Sequence, residues 1–202
     1  MANESFQPLN AIGPVGKEQG SGPEDDNPAK KDYREGRKLF SEGDYAQAAI
    51  AFHNALMGFE EQKNQAGVAN ASDRLGDACL ARGEYAMAVA NYQRAASICE
   101  QEDDSFSMLA LNKKMASAYR KLGDREKALE LLYDILEHYR LTNNPKGAVE
   151  VLIVIAETYV EQGERLKAAD AYRSVASIHG RFKHARMAEE FAKRADELEQ
   201  GQ

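Results

Sequence analysis

Residues 76–95, GDACLARGEYAMAVANYQRA, decide the fold. On either side of Gly83, in its middle, small and apolar side chains fall at intervals of three, four and seven: Gly76 and Cys79 before it, Ala88, Tyr92 and Ala95 after it. Such intervals put side chains on one face of an α-helix. Two amphipathic helices therefore meet at Gly83, and a glycine suits the left-handed conformation that ends the first of them.

Outward from this stretch the same register returns every 40 residues. The turn glycine recurs at Gly43, Gly83, Gly123 and Gly163, each followed by Asp or Glu. Five positions later come Ala48, Ala88, Ala128 and Ala168, then Phe52, Tyr92, Leu132 and Tyr172, then Ala55, Ala95, Ile135 and Val175. Upstream lie Gly36, Gly76, Ala116 and Ala156, followed by Leu39, Cys79, Tyr119 and Tyr159. The small residues let paired helix backbones approach, and the bulky ones fill the space beside them. One pair cannot bury both its faces, so neighbours must stack. Asn27-Pro28, Asn144-Pro145 and Asp103-Asp104-Ser105 supply helix-start signals at the pair boundaries.

This pattern of small residue, aromatic, turn glycine and downstream alanine with an aromatic or leucine resembles the tetratricopeptide repeat family. The expected fold is all-α: a right-handed α-solenoid of four such helix pairs plus a C-terminal capping helix. The expected organisation is a disordered tail over 1–27, repeats over 28–64, 65–104, 105–144 and 145–182, and the cap over 183–200. The family's usual period is 34, while a period near 40 is shared with HEAT and armadillo repeats. The extra residues fall between pairs, as in residues 61–67 and 102–105, where they can lengthen both helices without altering the glycine turn. The resemblance extends to the kinesin light chain-like and bacterial signalling branches, whose longer repeats it implies are protein-binding. Beyond the fourth glycine, Ala185, Ala188, Phe191, Ala192, Ala195 and Leu198 continue an apolar stripe, read as a cap with a dimerisation helix as the alternative.

A formal charge of −7 argues against nucleic acid or an anionic membrane as the main partner. No stretch approaches the roughly 18 uncharged apolar residues of a membrane helix. The opening residues, MANESFQPLN, lack the features of a secretory signal, so the expectation is a cytoplasmic protein with no membrane insertion. Cys79 and Cys99 match no metal or redox spacing and read as core residues. No phosphate loop, nucleophile elbow or HExxH occurs. His179 and His184, five apart across Gly180, are poorly spaced for ligands on one helical face. No enzymatic activity, metal or cofactor is expected.

The resemblance implies that first helices line a concave surface where a partner peptide or helix lies, making the protein an adaptor or scaffold. The candidate groove comprises Lys30, Tyr33, Arg34, Arg37, Arg74, Asp77, Lys113, Lys114 and Arg120, a basic stretch relieved only by Asp73 and Asp77. It leads to Glu150, Ile153, Val154 and Glu157, an acidic and apolar end. Such a groove suits an acidic or phosphorylated peptide; the alternative is that these charges are solvated faces held by helix-spaced pairs. The chaperone-tail clamp of some family members maps to Tyr33, Arg37, Arg74, Ala110 and Lys114, of which only Lys114 keeps even the charge. Two further classes stay open: a self-assembling homo-oligomer, and a regulator whose acidic tail, Glu24-Asp25-Asp26, competes for the groove.

Overall fold

The structure, a computed structural model, describes residues 27–201. The expected disordered tail lies outside the described residues apart from Asn27. The described chain forms α1 (Pro28–Ser41), α2 (Tyr45–Glu61), α3 (Gln65–Ala81), α4 (Tyr85–Gln101), α5 (Ser105–Leu122), α6 (Arg125–Leu141), α7 (Pro145–Gln162), α8 (Arg165–Arg181) and α9 (Ala185–Gln200), with no strand among the described residues. The fold is an all-α helical repeat of the solenoid class. It divides into two compact units, the first carrying α1 to α5 and the second α6 to α9, and the division falls inside the third expected pair. Within each unit every helix packs on its successor.

The helices start and stop where local chemistry says. Asn27, Asp44, Asn64, Asp104, Asp124 and Asn144 each accept a backbone N–H of the following first turn through the side-chain oxygen. Such a bond is worth about 1 kcal/mol per helix. Gly43, Gly83, Gly123 and Gly163 have φ between 79° and 91°, the left-handed turn expected of them. The turns between pairs have the same form without glycine: Lys63, Asp103, Asn143 and Lys183 have φ between 50° and 61°. At Gly43 and at Lys63 alike, the residue's N–H bonds the carbonyl three back and the next N–H reaches five back. A left-handed residue thus recurs every 20 residues, and α2 to α8 each run 17 or 18 residues.

The core follows the sequence register. Phe52, Tyr92, Ile135 and Val175 are fully buried. Gly76 lies so close to Tyr92 that a Cβ there would stand 2.5 Å from Cε1. A second set of contacts fits one pair to the next: a Cβ on Gly67 would stand 2.5 Å from the Phe59 ring, and one on Gly147 2.7 Å from Tyr139. In the same register the intervening junction carries Cys99 and Ser107, both buried. Cys79 and Cys99 are buried free thiols, and burial, with nearby acidic charge, pushes Cys79 up and Cys99 up to about 11. At neutral pH both are packing groups rather than nucleophiles. In the second unit α9 covers α8 by stacking Phe191 on Tyr172 at 5.9 Å and on His179 at 5.8 Å.

Candidate partner-binding face

In the first unit the first helices of successive pairs bring their polar side chains together. Asp73 and Asp77 stand one turn apart on α3, so their carboxylates share a face. Lys114 reaches across from α5, its Nζ 2.7 Å from Asp73 Oδ1 and 2.9 Å from Asp77 Oδ1. Arg74 Nη1 lies 3.2 Å from Asp77 Oδ2, and the Tyr92 hydroxyl of α4 donates to Asp77 Oδ1 at 2.9 Å. Lys114 Nζ also sits 5.6 Å from the centre of the Tyr92 ring. From α1, Tyr33 lies near enough to Arg74 to raise its pKa, and rests on Phe52 and Phe59 with ring separations of 5.7 and 6.4 Å. One polar chain therefore links α1, α3, α4 and α5.

Burial sets the electrostatics of this cluster. It pushes the Asp73 carboxyl above its ordinary value, and the Lys114 ammonium opposes the shift without cancelling it. Burial works against the charge of Arg74, but Tyr33, Asp77 and Asp73 together raise its pKa. The Tyr92 phenol is raised, by burial first and by the Asp77 charge and hydrogen bond next. An unfolded tyrosine ionises near pH ~10 while folded Tyr92 does not, so its contribution to stability is full below that pH and is lost as pH rises above it. Tyr92→Phe is expected to flatten the alkaline limb of a urea-unfolding series. A limb as steep as the wild type's rules this coupling out.

Of the residues singled out in the sequence, Tyr33, Arg74, Asp77 and Lys114 meet in this cluster. Arg34, Arg37 and Lys113 are exposed, and Lys30 and Arg120 half-buried, on α1 and α5. The expected basic stretch is altered in one respect: Arg74 and Lys114 are matched by Asp73 and Asp77. Asp73, named in the sequence only as relief to the basic stretch, belongs to the cluster. Its signal was its spacing of four from Asp77. Glu150, Ile153, Val154 and Glu157 lie on α7 of the second unit, the glutamates exposed and Ile153 and Val154 half-buried.

The second unit has its own polar recess of about 810 Å³, where the Tyr133 and Tyr159 hydroxyls lie 3.0 Å apart. Burial, with the hydrogen bond to Tyr159, pushes the Tyr133 phenol up to about 12. His179 and His184, poorly spaced in sequence, bring their Nδ1 atoms within 3.4 Å because they flank a helix end rather than share one face. No group of three or more metal-ligating side chains occurs among the described residues. No helix among them is long and apolar enough to cross a membrane.

Helices of near-constant length, joined at left-handed turns and stacked in chain order within each unit, define a helix-pair repeat protein. Residues 107–181 match a family model described as tetratricopeptide repeat, and residues 71–105 match a second with the same description. Together they take in more than half of the sequence, and the chain belongs to the tetratricopeptide repeat family. No curated protein matches it. Among solved structures it is similar to a putative kinesin light chain with nearly identical TPR-like repeats from Podosopora anserina, with a TM-score of 0.67 and 17% identity over 87% of this chain and 93% of that one. It is also similar to BtubC (BKLC) from P. vanneervenii, with a TM-score of 0.57 and 13% identity over 85% of this chain and 88% of that one. For aspartyl phosphate phosphatase F from Bacillus subtilis the TM-score is 0.63 and the identity 13%, over 86% of this chain but 48% of that one. At these identities the likeness is one of fold. This repeat fold serves as a scaffold for protein–protein interaction and is typically non-catalytic.

Proposed function

We propose that the protein is an adaptor whose first unit holds an acidic or phosphorylated segment of a partner protein along α1, α3 and α5. The observation that carries this reading is the polar chain from Tyr33 through Arg74 and Asp77 to Lys114. It aligns three first helices side by side and leaves Arg37 and Lys113 exposed at its flanks. The cluster pairs two cations with two carboxylates, and exposed Arg37 and Lys113 add positive charge beside it. An acidic segment gains on-rate and orientation from them, and the fixed cluster supplies its register.

The clean test spares the cluster. Arg37→Glu with Lys113→Glu reverses two exposed charges, and quantitative pull-down followed by titration of the recovered partner compares this variant with wild type. A partner whose affinity falls about tenfold in the variant, with the loss shrinking as salt is added, fits the proposal. Recovery of the same partners at the same affinity sinks it.

A further inference from the structure

The turn from α8 to α9 departs from the other turns between pairs. At the three earlier junctions Asn64, Asp104 and Asn144 cap the next helix through a side-chain oxygen. Here His184 holds that place and makes no such bond. The left-handed residue is Lys183, with φ 61°, a conformation that favours glycine and tolerates asparagine. Phe182 beside it is 54% exposed. Arg181, Lys183 and Arg186 are all exposed, and none of the three forms an ion pair among the described residues. From residue 171 to residue 188 no acidic residue occurs, in a chain of net charge −7.

The turn keeps the backbone hydrogen bonds of the others and a left-handed lysine like Lys63, and His184 meets His179 and the Phe182 ring instead of capping α9. What sets the corner apart is the missing side-chain cap beside an exposed Phe182 and three exposed cations. Local rules broken in this way are expected where a surface meets something else. We propose that this corner, formed by Arg181, Phe182, Lys183 and Arg186, docks an acidic segment of a partner protein. Carboxylates of the segment meet the three cations, and an apolar side chain rests on the Phe182 ring. A short protein segment is favoured over a long polyanion or an anionic bilayer because of range. Within about 8 Å, the screening length at physiological salt, a docked segment senses the local cations, whereas an extended anionic surface also meets the acidic remainder of the chain. This inference is independent of the face proposed for the first unit.

The test uses the full chain and a fluorescein-labelled peptide of glutamate and aspartate around a central Leu-Phe, followed by fluorescence anisotropy. Joint replacement Arg181→Glu, Lys183→Glu and Arg186→Glu is expected to weaken binding at least about tenfold, and Phe182→Ala several-fold. Lys183→Gly removes one charge while relieving the left-handed lysine, so it is expected to unfold no earlier than wild type and still bind about threefold more weakly. That variant separates lost contact from lost fold. The proposal is overturned if the triple reversal binds as wild type does, or if a peptide with glutamine and asparagine in place of the acids binds equally well. It also fails if Arg37→Glu with Lys113→Glu carries the loss instead, which assigns the peptide to the first unit. Capture of phosphatidylserine vesicles without peptide binding overturns it in favour of a membrane.

Discussion

Gly76→Ala is expected to lower the stability of the first unit by about 2 kcal/mol, although alanine is the better helix former by about 1 kcal/mol. The added methyl has no room. It would stand 2.5 Å from Tyr92 Cε1 and 2.7 Å from Cδ1. Tyr92 is fully buried and its hydroxyl is held by Asp77, so the ring cannot retreat without giving up that bond or moving α4. The third pair carries Ala116 where the second has Gly76, and there the residue in the register of Tyr92 is Leu132. Gly76→Ala combined with Tyr92→Leu is therefore expected to recover most of the loss. Urea-unfolding midpoints of the two single variants and the double variant decide it. If Gly76→Ala alone raises the midpoint, helix propensity outweighs the close approach and this account of the small position is wrong.

The same comparison explains what was legible in the sequence. Gly43, Gly83, Gly123 and Gly163 announce their turns because glycine is the residue that left-handed backbone prefers. Lys63, Asp103, Asn143 and Lys183 take nearly the same conformation, but lysine and aspartate do not announce it, and at these turns the sequence signal is the helix start that follows, at Asp104 and at Asn144-Pro145. The pairing of large with small across junctions, Phe59 with Gly67 and Tyr139 with Gly147, was present in the register and shows only when residues from successive pairs are read together.

The candidate face was half legible. Helical spacing alone puts Asp73 beside Asp77, yet it does not say which of Lys113 and Lys114 turns toward α3. That depends on the rotation of α5 about its axis, which packing on α4 decides. A run of basic residues in sequence thus became an internal ion cluster with basic flanks, because charges on adjacent helices pair across a distance that sequence spacing does not encode.

Lys114→Glu tests that conversion with a large expected effect, a loss of about 2 to 3 kcal/mol at neutral pH. The substitution removes the cation shared by Asp73 and Asp77 and puts a third carboxylate in its place. Their side chains are 15% to 30% exposed, so the cost lies below that of a fully buried pair but well above that of a surface one. Lys114→Met, which removes the cation without adding repulsion, is expected to cost about half as much. Asp73→Asn with Asp77→Asn on the Lys114→Glu background is expected to restore most of the stability, since two of three clashing charges disappear. The pH dependence has a definite sign. Crowded carboxylates hold protons more tightly when folded than when unfolded, so in Lys114→Glu stability rises as pH falls from neutral into the carboxylate range. Binding measured with Lys114→Glu therefore mixes lost fold with lost contact, which is why the reversals at Arg37 and Lys113 are the ones that report on a partner. If Lys114→Glu unfolds at the wild-type midpoint at neutral pH, Lys114 does not bridge the two aspartates in solution, and the positive charge of Arg74 and Lys114 returns to the face open to a ligand.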